Sequence, residues 1–256
     1  MARYQLILAY DGTEFSGFQR QGKTRTVQKV VEDVLRELGW KEETILFAGR
    51  TDRGVHASGQ VIVFSLDWQH ADETLVSAMN AKMPSDLSVQ SIARTEAEFH
   101  PRYDALSRSY TYTLTVSPYR HPLFERYAWK IWPPPDGELF SQAAKTFIGR
   151  YDFSAFGRAM KPGSSTVREI YESHWTVTEM GWQYWINANA FLYHMVRRLV
   201  YVQVQVARGL WTLQDIQEGL NGKKTLKPGL APANGLVLSH VFYKGSMQGS
   251  VEKTKI

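Results

Sequence analysis

Apolar residues recur along the chain with two spacings, one typical of helices and one typical of strands. In residues 27–38 they fall three or four positions apart, as on one face of a helix, and Gly39 ends the pattern. In residues 108–115 larger side chains alternate with serine and threonine, which predicts a strand with two chemically different faces. The same reasoning predicts strands at residues 4–10, 44–48, 60–66, 87–94, 108–115, 170–178, 182–188 and 236–243. It predicts helices at residues 27–38, 72–83, 138–148, 190–206 and 213–220.

The order of these elements indicates the fold class. Residues 1–105 carry the order β-α-β-β-α-β, and residues 106–245 repeat it loosely, which is the ferredoxin-like pattern written twice. We therefore expect a mixed α+β fold in which two ferredoxin-like halves form a continuous, mainly antiparallel sheet. The helices are expected on one face, with a central basic cleft for a ligand. Residues 246–256 are expected to form a basic tail.

Composition narrows the possible chemistry. The 256-residue chain contains no cysteine, which excludes disulfides, thiolate metal sites and a cysteine nucleophile. Its net charge of +5 favours a polyanionic partner, because lysine and arginine displace counterions from phosphates. The apolar runs are shorter than the roughly 18 residues that span a bilayer, and the first residues lack a signal core. A cytoplasmic protein is therefore expected.

One loop concentrates candidate catalytic groups. Arg50, Asp52 and Arg53 lie in a glycine-bounded segment, residues 49–58, between two predicted strands, where catalytic groups often occur. The two guanidinium groups would keep the carboxylate ionised and leave positive charge for a phosphate. Such a carboxylate can act as a nucleophile or a general base. The alternative is a tight turn in which Asp52 caps the backbone and both arginines are solvated.

The pattern around this loop extends along most of the chain. Residues 48–61, AGRTDRGVHASGQV, resemble the signature loop of the TruA-type tRNA pseudouridine synthases, whose invariant aspartate matches Asp52. Further segments resemble other motifs of the same family, namely residues 10–19, 99–103, 108–110, 152–156, 189–197 and 231–236. The resemblance covers essentially the full length, so it implies the pseudouridine synthase fold and the family's activity.

That activity converts uridine to pseudouridine at positions 38, 39 and 40 of the tRNA anticodon arm. The base is detached from its sugar, rotated and rejoined through carbon 5, and the resemblance implies no metal or organic cofactor. Because the base must leave the helix stack, at a cost of roughly a few kcal/mol, the site must replace the lost stacking. The resemblance implies tRNA as the partner and a homodimer with one tRNA lying across both subunits.

The resemblance also implies roles for individual residues. Asp52 would start the reaction, at the ribose C1′ or by another route, and Arg50 would hold its carboxylate and help fill the space that the base vacates. Tyr110 would stack on the uracil, Arg197 would pair with Asp52 or contact a phosphate, and Leu236 would form an apolar wall. Without the resemblance, the last three would be interpreted as an ordinary strand residue, an exposed helix residue and a core residue.

Polar and basic residues outside these roles are candidates for contact with the RNA backbone. Most of them follow the first predicted strand, and one lies beside Asp52. These candidates are Gln19, Arg20, Lys23, Arg25 and Arg53.

Two other functions fit parts of the sequence. A non-catalytic RNA-binding module would use the doubled sheet and its aromatic residues, although no RNP1-like run is present, and it would keep its role after Asp52→Ala. A carboxylate hydrolase would release free uracil or cleaved RNA and would need a second acidic residue in register, and none stands out. The seven histidines show no HxxxH or HExxH spacing, and neither a Walker-A loop nor a GxGxxG fingerprint occurs. Neither a metal nor a nucleotide cofactor is therefore predicted.

Overall fold

A ten-stranded sheet and six α-helices make up residues 1–244, the part of the chain that the computed structural model describes. The strands are β1 (Ala2–Tyr10), β2 (Leu46–Phe47), β3 (His56–Leu66), β4 (Leu87–Arg94), β5 (Ala105–Val116), β6 (Trp129–Ile131), β7 (Gly149–Asp152), β8 (Val167–Thr178), β9 (Gly181–Ala188) and β10 (Leu236–Tyr243). The helices are α1 (Val27–Glu37), α2 (Asp72–Lys82), α3 (Pro122–Glu125), α4 (Gly137–Thr146), α5 (Met195–Ala207) and α6 (Leu213–Leu220).

The spatial order of the strands repeats across the sheet. The order is β4-β1-β3-β10-β5-β9-β8-β7, with β2 paired to β3 and β6 paired to β5. The sets β4-β1-β3-β2 and β10-β5-β9-β8 therefore share one pattern, in which the fourth, first, third and second strands of a β-α-β-β-α-β unit lie side by side. Neighbouring strands are antiparallel except β3 with β10 and β5 with β6. The predicted mixed α+β fold with a continuous, mainly antiparallel sheet is confirmed.

Helices α1, α2, α4 and α5 pack on one face of this sheet. The strand register places Leu6 opposite Ile62, and Tyr110 opposite both Leu238 and Ile186. Side chains that lie opposite each other in paired strands share a face, and these belong to two apolar clusters that also contain the buried faces of the helices. One cluster surrounds α1 and α2, and the other surrounds α4 and α5. Tyr110 contacts both clusters, so it lies where the two helical layers meet.

Capping side chains fix the first turn of most of the longer helices. Thr26 accepts a hydrogen bond from a backbone N–H of α1, Asp136 accepts two from α4, and Thr212 forms a capping box with Asp215 at α6. Helix α5 differs, because its N-cap residue His194 makes no side-chain capping bond. The start of α5 is therefore held by other contacts, which belong to the candidate site.

The start of α5 also departs from the sequence prediction. The helix begins at Met195 instead of residue 190, because Tyr193 exchanges two backbone hydrogen bonds with Arg158, of 2.9 and 3.2 Å. The side chain of Asn189 accepts further bonds from the backbone of Glu169 and Ala190. Arg158 and Glu169 lie outside the helix, so the apolar spacing of residues 190–194 does not show that these residues are non-helical.

The strand that follows the Asp52 loop is longer than predicted. β3 begins at His56, which pairs with Val237 of β10, so the expected loop at residues 49–58 ends at residue 55. The strand expected at residues 44–48 is limited to Leu46–Phe47.

Three short elements, α3, β6 and β7, had no counterpart in the prediction, because three or four residues are too few for a period to show. The expected basic tail, residues 246–256, lies outside the described residues. Within residues 1–244, every helix falls short of the length and apolarity that crossing a bilayer requires.

Candidate active site

The loop that carries Asp52 is fastened to the first strand and to the segment after it. The Thr51 hydroxyl lies 2.8 Å from the hydroxyl of Tyr10, and the Thr51 carbonyl accepts a 3.1 Å hydrogen bond from the backbone of Phe18. Gly17 lies against the same carbonyl, which would be 2.9 Å from an added Cβ atom. The backbone before β3 is therefore fixed, and so is the origin of the Asp52 side chain.

The Asp52 carboxylate is held from helix α5. Arg197 Nη1 donates a 3.1 Å hydrogen bond to Asp52 Oδ2, and His194 Nε2 lies 3.3 Å from the same oxygen. Arg197 is itself fixed by a 2.8 Å bond from its Nε to the carbonyl of Ala231. Both partners lie in the first turn of α5, where the helix dipole also favours a negative charge. The side chains of Asp52 and Arg197 are 22% and 15% exposed, so this ion pair is partly shielded from water.

Tyr110 and Leu236, two further residues that the resemblance singled out, belong to the apolar packing of the second half. Tyr110 packs edge-on against Phe191, with 5.1 Å between ring centroids, and Leu236 at the start of β10 is 5% exposed. Burial raises the pKa of Tyr110 to about 12, with Arg108 lowering it and the charge of Asp52 raising it. Tyr110 is therefore a neutral phenol at physiological pH.

Exposed basic residues flank the carboxylate without touching it. Arg50 and Arg53 are both exposed, and within residues 1–244 neither forms an ion pair or a hydrogen bond with Asp52. The expectation that Arg50 holds the carboxylate is therefore wrong for this structure, because Arg197 and His194 of α5 take that position. Both exposed guanidinium groups are available to a phosphate.

The other candidates for RNA contact lie on the segment between β1 and α1. All four side chains are exposed, but Arg20 is paired with Glu32 at 2.7 Å and Arg25 forms two 2.8 Å bonds with Asp86. Among the residues that the structure describes, Gln19 accepts or donates no side-chain hydrogen bond, and Lys23 has no ion pair.

His56 links three segments around the site. Its Nδ1 accepts a 3.0 Å hydrogen bond from the backbone of Gly12 and lies 3.1 Å from Asp11, while its Nε2 lies 3.2 Å from the carbonyl of Asn234. Burial lowers the pKa of His56, with Asp11 opposing that change. These contacts agree with the tautomer in which Nε2 carries the proton, and they support a stabilising role for this histidine.

Asp11 is the acidic member of the same link. Its carboxylate accepts hydrogen bonds from Thr13, from the hydroxyl of Tyr127 at 2.9 Å and from Arg126 at 3.0 Å. Burial would raise the pKa of Asp11, but these hydrogen bonds outweigh it and hold the pKa well below its usual range. The turn after β1 is thereby joined to the segment after α3.

A cleft of about 440 Å³ opens on the other side of His194. Its wall includes Arg158, Tyr193, Arg198 and Gly229. His194, whose Nε2 lies 3.3 Å from Asp52, is also part of the wall of this cleft. Within residues 1–244, no group of three or more histidine, aspartate or glutamate side chains is arranged to hold a metal ion.

Comparison with known proteins identifies the family. The family model described as tRNA pseudouridine synthase matches residues 6–104 and 143–244. The chain is 34% identical to tRNA pseudouridine synthase A of Limosilactobacillus fermentum, over 95% of this chain and 96% of that protein. It is 36% identical to tRNA pseudouridine synthase A of Pseudothermotoga lettingae, over 95% of this chain and 100% of that protein. The chain belongs to the tRNA pseudouridine synthase family.

Two solved structures show a more distant likeness to this pseudouridine synthase family member. A Cbf5–Nop10–Gar1 complex has a TM-score of 0.37 and 11% identity, over 76% of this chain and 45% of that chain. An H/ACA ribonucleoprotein bound to a substrate RNA containing 2′-deoxyuridine has a TM-score of 0.36 and 13% identity, over 81% of this chain and 53% of that chain. Neither likeness adds to the family assignment.

The resemblance inferred from the sequence is confirmed, and the chain is an enzyme of an isomerase family. Of the five residues that the resemblance singled out, Asp52 and Arg197 are hydrogen-bonded, and Tyr110 is close enough for the charge of Asp52 to act on its hydroxyl. Leu236 belongs to the apolar cluster against which Tyr110 packs. Sequence reasoning did not single out His194, although it lies three residues before Arg197 in the motif at residues 189–197. Its position one helical turn from Arg197 was the signal that could have identified it.

Proposed function

We propose that this pseudouridine synthase family member isomerises uridines 38, 39 and 40 in the anticodon arm of tRNA, with Asp52 as the catalytic carboxylate. The observation that carries the proposal is the setting of Asp52. Its carboxylate is ionically paired to Arg197 through one oxygen, and it lies beside the neutral phenol of Tyr110. Within the described residues the second oxygen, Oδ1, has no hydrogen-bond partner, so it is free to meet a substrate.

The proposed reaction assigns a task to each neighbour of Asp52. A uridine leaves the RNA stack and enters the site, where Tyr110 replaces part of the lost stacking and Leu236 forms an apolar wall. Asp52 then starts the cleavage of the bond between base and sugar, and the rotated base is rejoined through carbon 5. Arg197 orients the carboxylate through its hydrogen bond to Oδ2. The product has the same atoms as the substrate, so the proposed reaction needs no oxidant and no second substrate.

Positive charge around the site supports an RNA partner. Arg50 and Arg53 are exposed beside the loop and are proposed to contact phosphates, with Arg50 also helping to fill the space left by the flipped base. Gln19 and Lys23 are proposed as further contacts because they are exposed. Arg20 and Arg25, which form ion pairs within the chain, are proposed as weaker contacts.

The proposal extends to assembly and location. We place the protein in the cytoplasm and infer a homodimer that binds one tRNA across both subunits. The family motifs support the dimer, as do exposed apolar side chains such as Leu106 and Val177, 58% and 66% exposed. The repeated strand order supports a division into residues 1–105 and 106–245. Sedimentation analysis with and without tRNA tests the dimer, since a monomer in both would contradict it.

The test of the function uses an unmodified tRNA transcript with uridines at positions 38, 39 and 40. Pseudouridine is mapped by carbodiimide treatment and primer extension after incubation with wild type, Asp52→Asn or Asp67→Asn. Asp67 is the matched control, because it is an exposed aspartate, 72% exposed, that pairs with the amino group of Met1. We expect stops at those positions for wild type and the control, and none for Asp52→Asn.

Each other result has a definite meaning. Stops that persist in Asp52→Asn would show that another group starts the reaction. Stops at other uridines would refute the proposed positions. Free uracil or cleaved RNA would indicate a hydrolase, and tRNA binding without stops in any variant would indicate a binding module.

A further inference from the structure

His194 has an unusual backbone conformation. Within residues 1–244 it is the one non-glycine residue with a positive φ, at 65°. Side chains other than glycine rarely adopt this left-handed region, and such residues cluster at functional sites when the surrounding structure enforces them. His194 does not use the position to cap α5, because its side chain makes no capping bond. The conformation instead determines the direction in which the imidazole leaves the backbone.

Neighbouring segments enforce this conformation from both sides. Tyr193 exchanges two backbone hydrogen bonds with Arg158, and the carbonyl of His194 accepts a 3.0 Å bond from the backbone of Arg198. Gly157 packs closely against the segment before His194, because a Cβ atom added to this glycine would lie 2.7 Å from Leu192 Cβ. The backbone on either side of His194 is therefore fixed independently of its side chain.

The imidazole that results is held between a ring and the candidate catalytic carboxylate. It stacks on Tyr193, with 3.7 Å between centroids and 26° between planes, and its Nε2 lies 3.3 Å from Asp52 Oδ2. Arg197 contacts the same oxygen. Two side-chain nitrogens thus lie within 3.3 Å of Oδ2, that of Arg197 as a hydrogen-bond donor, and within the described residues Oδ1 has no hydrogen-bond partner. The two oxygens of Asp52 are made unequal before any substrate arrives.

We propose that His194 is a positioning residue that holds Oδ2 of Asp52 and thereby presents Oδ1 to the nucleotide. This inference rests on the proposed catalytic role of Asp52. The imidazole Nε2, 3.3 Å from Oδ2, and the guanidinium of Arg197 approach the same oxygen and together limit the rotation of the carboxylate. Without His194, Arg197 alone would hold one oxygen and the carboxylate plane would turn about that single contact.

The charge state of His194 fits this role. Burial lowers its pKa, Asp52 opposes that change, and the positive charges of Arg197 and Arg158 reinforce it. The imidazole is therefore neutral at neutral pH and orients Asp52 without a full second positive charge. Protonation at lower pH would place a positive charge on the imidazole, beside Oδ2, and make the carboxylate less reactive. The turnover number of wild type should therefore fall in acid partly through His194.

Two variants separate positioning from a structural role. His194→Asn suits the left-handed backbone but is too short to reach Oδ2, whereas His194→Gln reaches further but suits that backbone less well. Positioning predicts that kcat falls about tenfold or more in His194→Asn and is partly restored in His194→Gln, with the KM for tRNA unchanged in both. A backbone role predicts the reverse order of activities. His174→Asn, an exposed histidine on β8, is the control and is expected to match wild type.

The experiment measures kcat, KM and the pH profile of pseudouridine formation for these variants and for Asp52→Asn. A flatter acid limb in His194→Asn than in wild type is the expected profile. Wild-type kcat in His194→Asn, an Asn variant more active than the Gln variant, or an unchanged acid limb would each overturn the inference. If Asp52→Asn is inactive while His194→Asn is fully active, the inference fails and the proposed function survives. If Asp52→Asn stays active, both fail.

Discussion

Replacing Tyr10 with phenylalanine removes one of the two hydroxyl groups that fasten the Asp52 loop to β1. The two hydroxyls lie 2.8 Å apart, and Tyr10 and Thr51 are 5% and 7% exposed. In Tyr10→Phe the Thr51 hydroxyl would be left buried without a partner. A buried polar group in that state costs about 1–3 kcal/mol, so the free energy of unfolding should fall by that amount. The melting temperature should fall by about 2–4 °C for each kcal/mol in a chain of this size.

The reciprocal change and the double change make the prediction sharper. Thr51→Val should cost a similar amount, because it leaves the Tyr10 hydroxyl without that contact. The double variant Tyr10→Phe/Thr51→Val should cost little more than either single variant, because neither hydroxyl then remains buried and unpaired. The coupling free energy of the cycle should therefore be about 1–2 kcal/mol.

Urea unfolding followed by circular dichroism gives the four free energies that the cycle needs. Tyr171→Phe serves as the control, because Tyr171 is 45% exposed and within the described residues its hydroxyl forms no hydrogen bond. That control should unfold like wild type. Free energies that simply add in the double variant would refute the idea that this hydroxyl pair holds the loop, and a changed denaturant slope would show that the unfolded state is responsible.

Further predictions concern the ion pair, the loop backbone, acid stability and RNA binding. Arg197→Gln removes a charge-assisted bond of about 1.5–3 kcal/mol to the candidate catalytic carboxylate, so kcat should fall about 10- to 100-fold, and a fall of less than threefold would contradict the role given to this pair. Gly17→Ala should destabilise by about 2 kcal/mol or more in thermal unfolding, because φ is 93° and the added Cβ meets a loop carbonyl. Gly22→Ala, where φ is 50° and nothing lies within 4 Å, should cost only about 1 kcal/mol, and equal costs would disprove the close-approach argument. The lowered pKa of Asp11 means that its stabilisation is present above the unfolded value of about 4 and is lost as pH falls through the folded value. The stability gap between wild type and Asp11→Asn should therefore shrink between about pH 5 and pH 2, and a constant gap would contradict this assignment. The affinity for tRNA should fall steeply and linearly in a plot of log K against log salt, whereas a flat plot would exclude a basic binding surface.

Elements with a local signal were predictable from the sequence. The bounds of β4, α6 and β10 match the predicted ranges, because apolar spacing and the residues that end each element lie within the element itself. Helix α5 was predicted to begin too early. Arg158, distant in sequence, pairs with Tyr193 and keeps the residues before Met195 out of the helix. The same reason explains β3, whose first residues pair with β10 on one side and, at Ala57, with β1 on the other.

The residues of the candidate site could be named from the sequence, but the residue pattern by itself did not predict how they contact each other. The motif around Asp52 identified the carboxylate, and the motif at residues 189–197 identified Arg197. Adjacency along the chain suggested Arg50 as a partner of Asp52, whereas the family resemblance offered Arg197, which is 145 positions away and forms the observed hydrogen bond. A contact of that kind depends on how the fold brings distant segments together, and residue spacing alone does not predict it. His194 was not singled out, although it lies one helical turn before Arg197, and the positive φ of its backbone is visible only in the structure.

The central place of β10 has a consequence for how the protein is made. β10 lies between β3 and β5, so the edge of β3 at His56 has no partner until residues 236–243 have left the ribosome. The Asp52 loop would be built early, but the strand and helix that complete its surroundings come last. A nascent chain that stalls before residue 236 should therefore expose an open sheet edge and lack an assembled site, which makes it a substrate for chaperones before it can act on RNA.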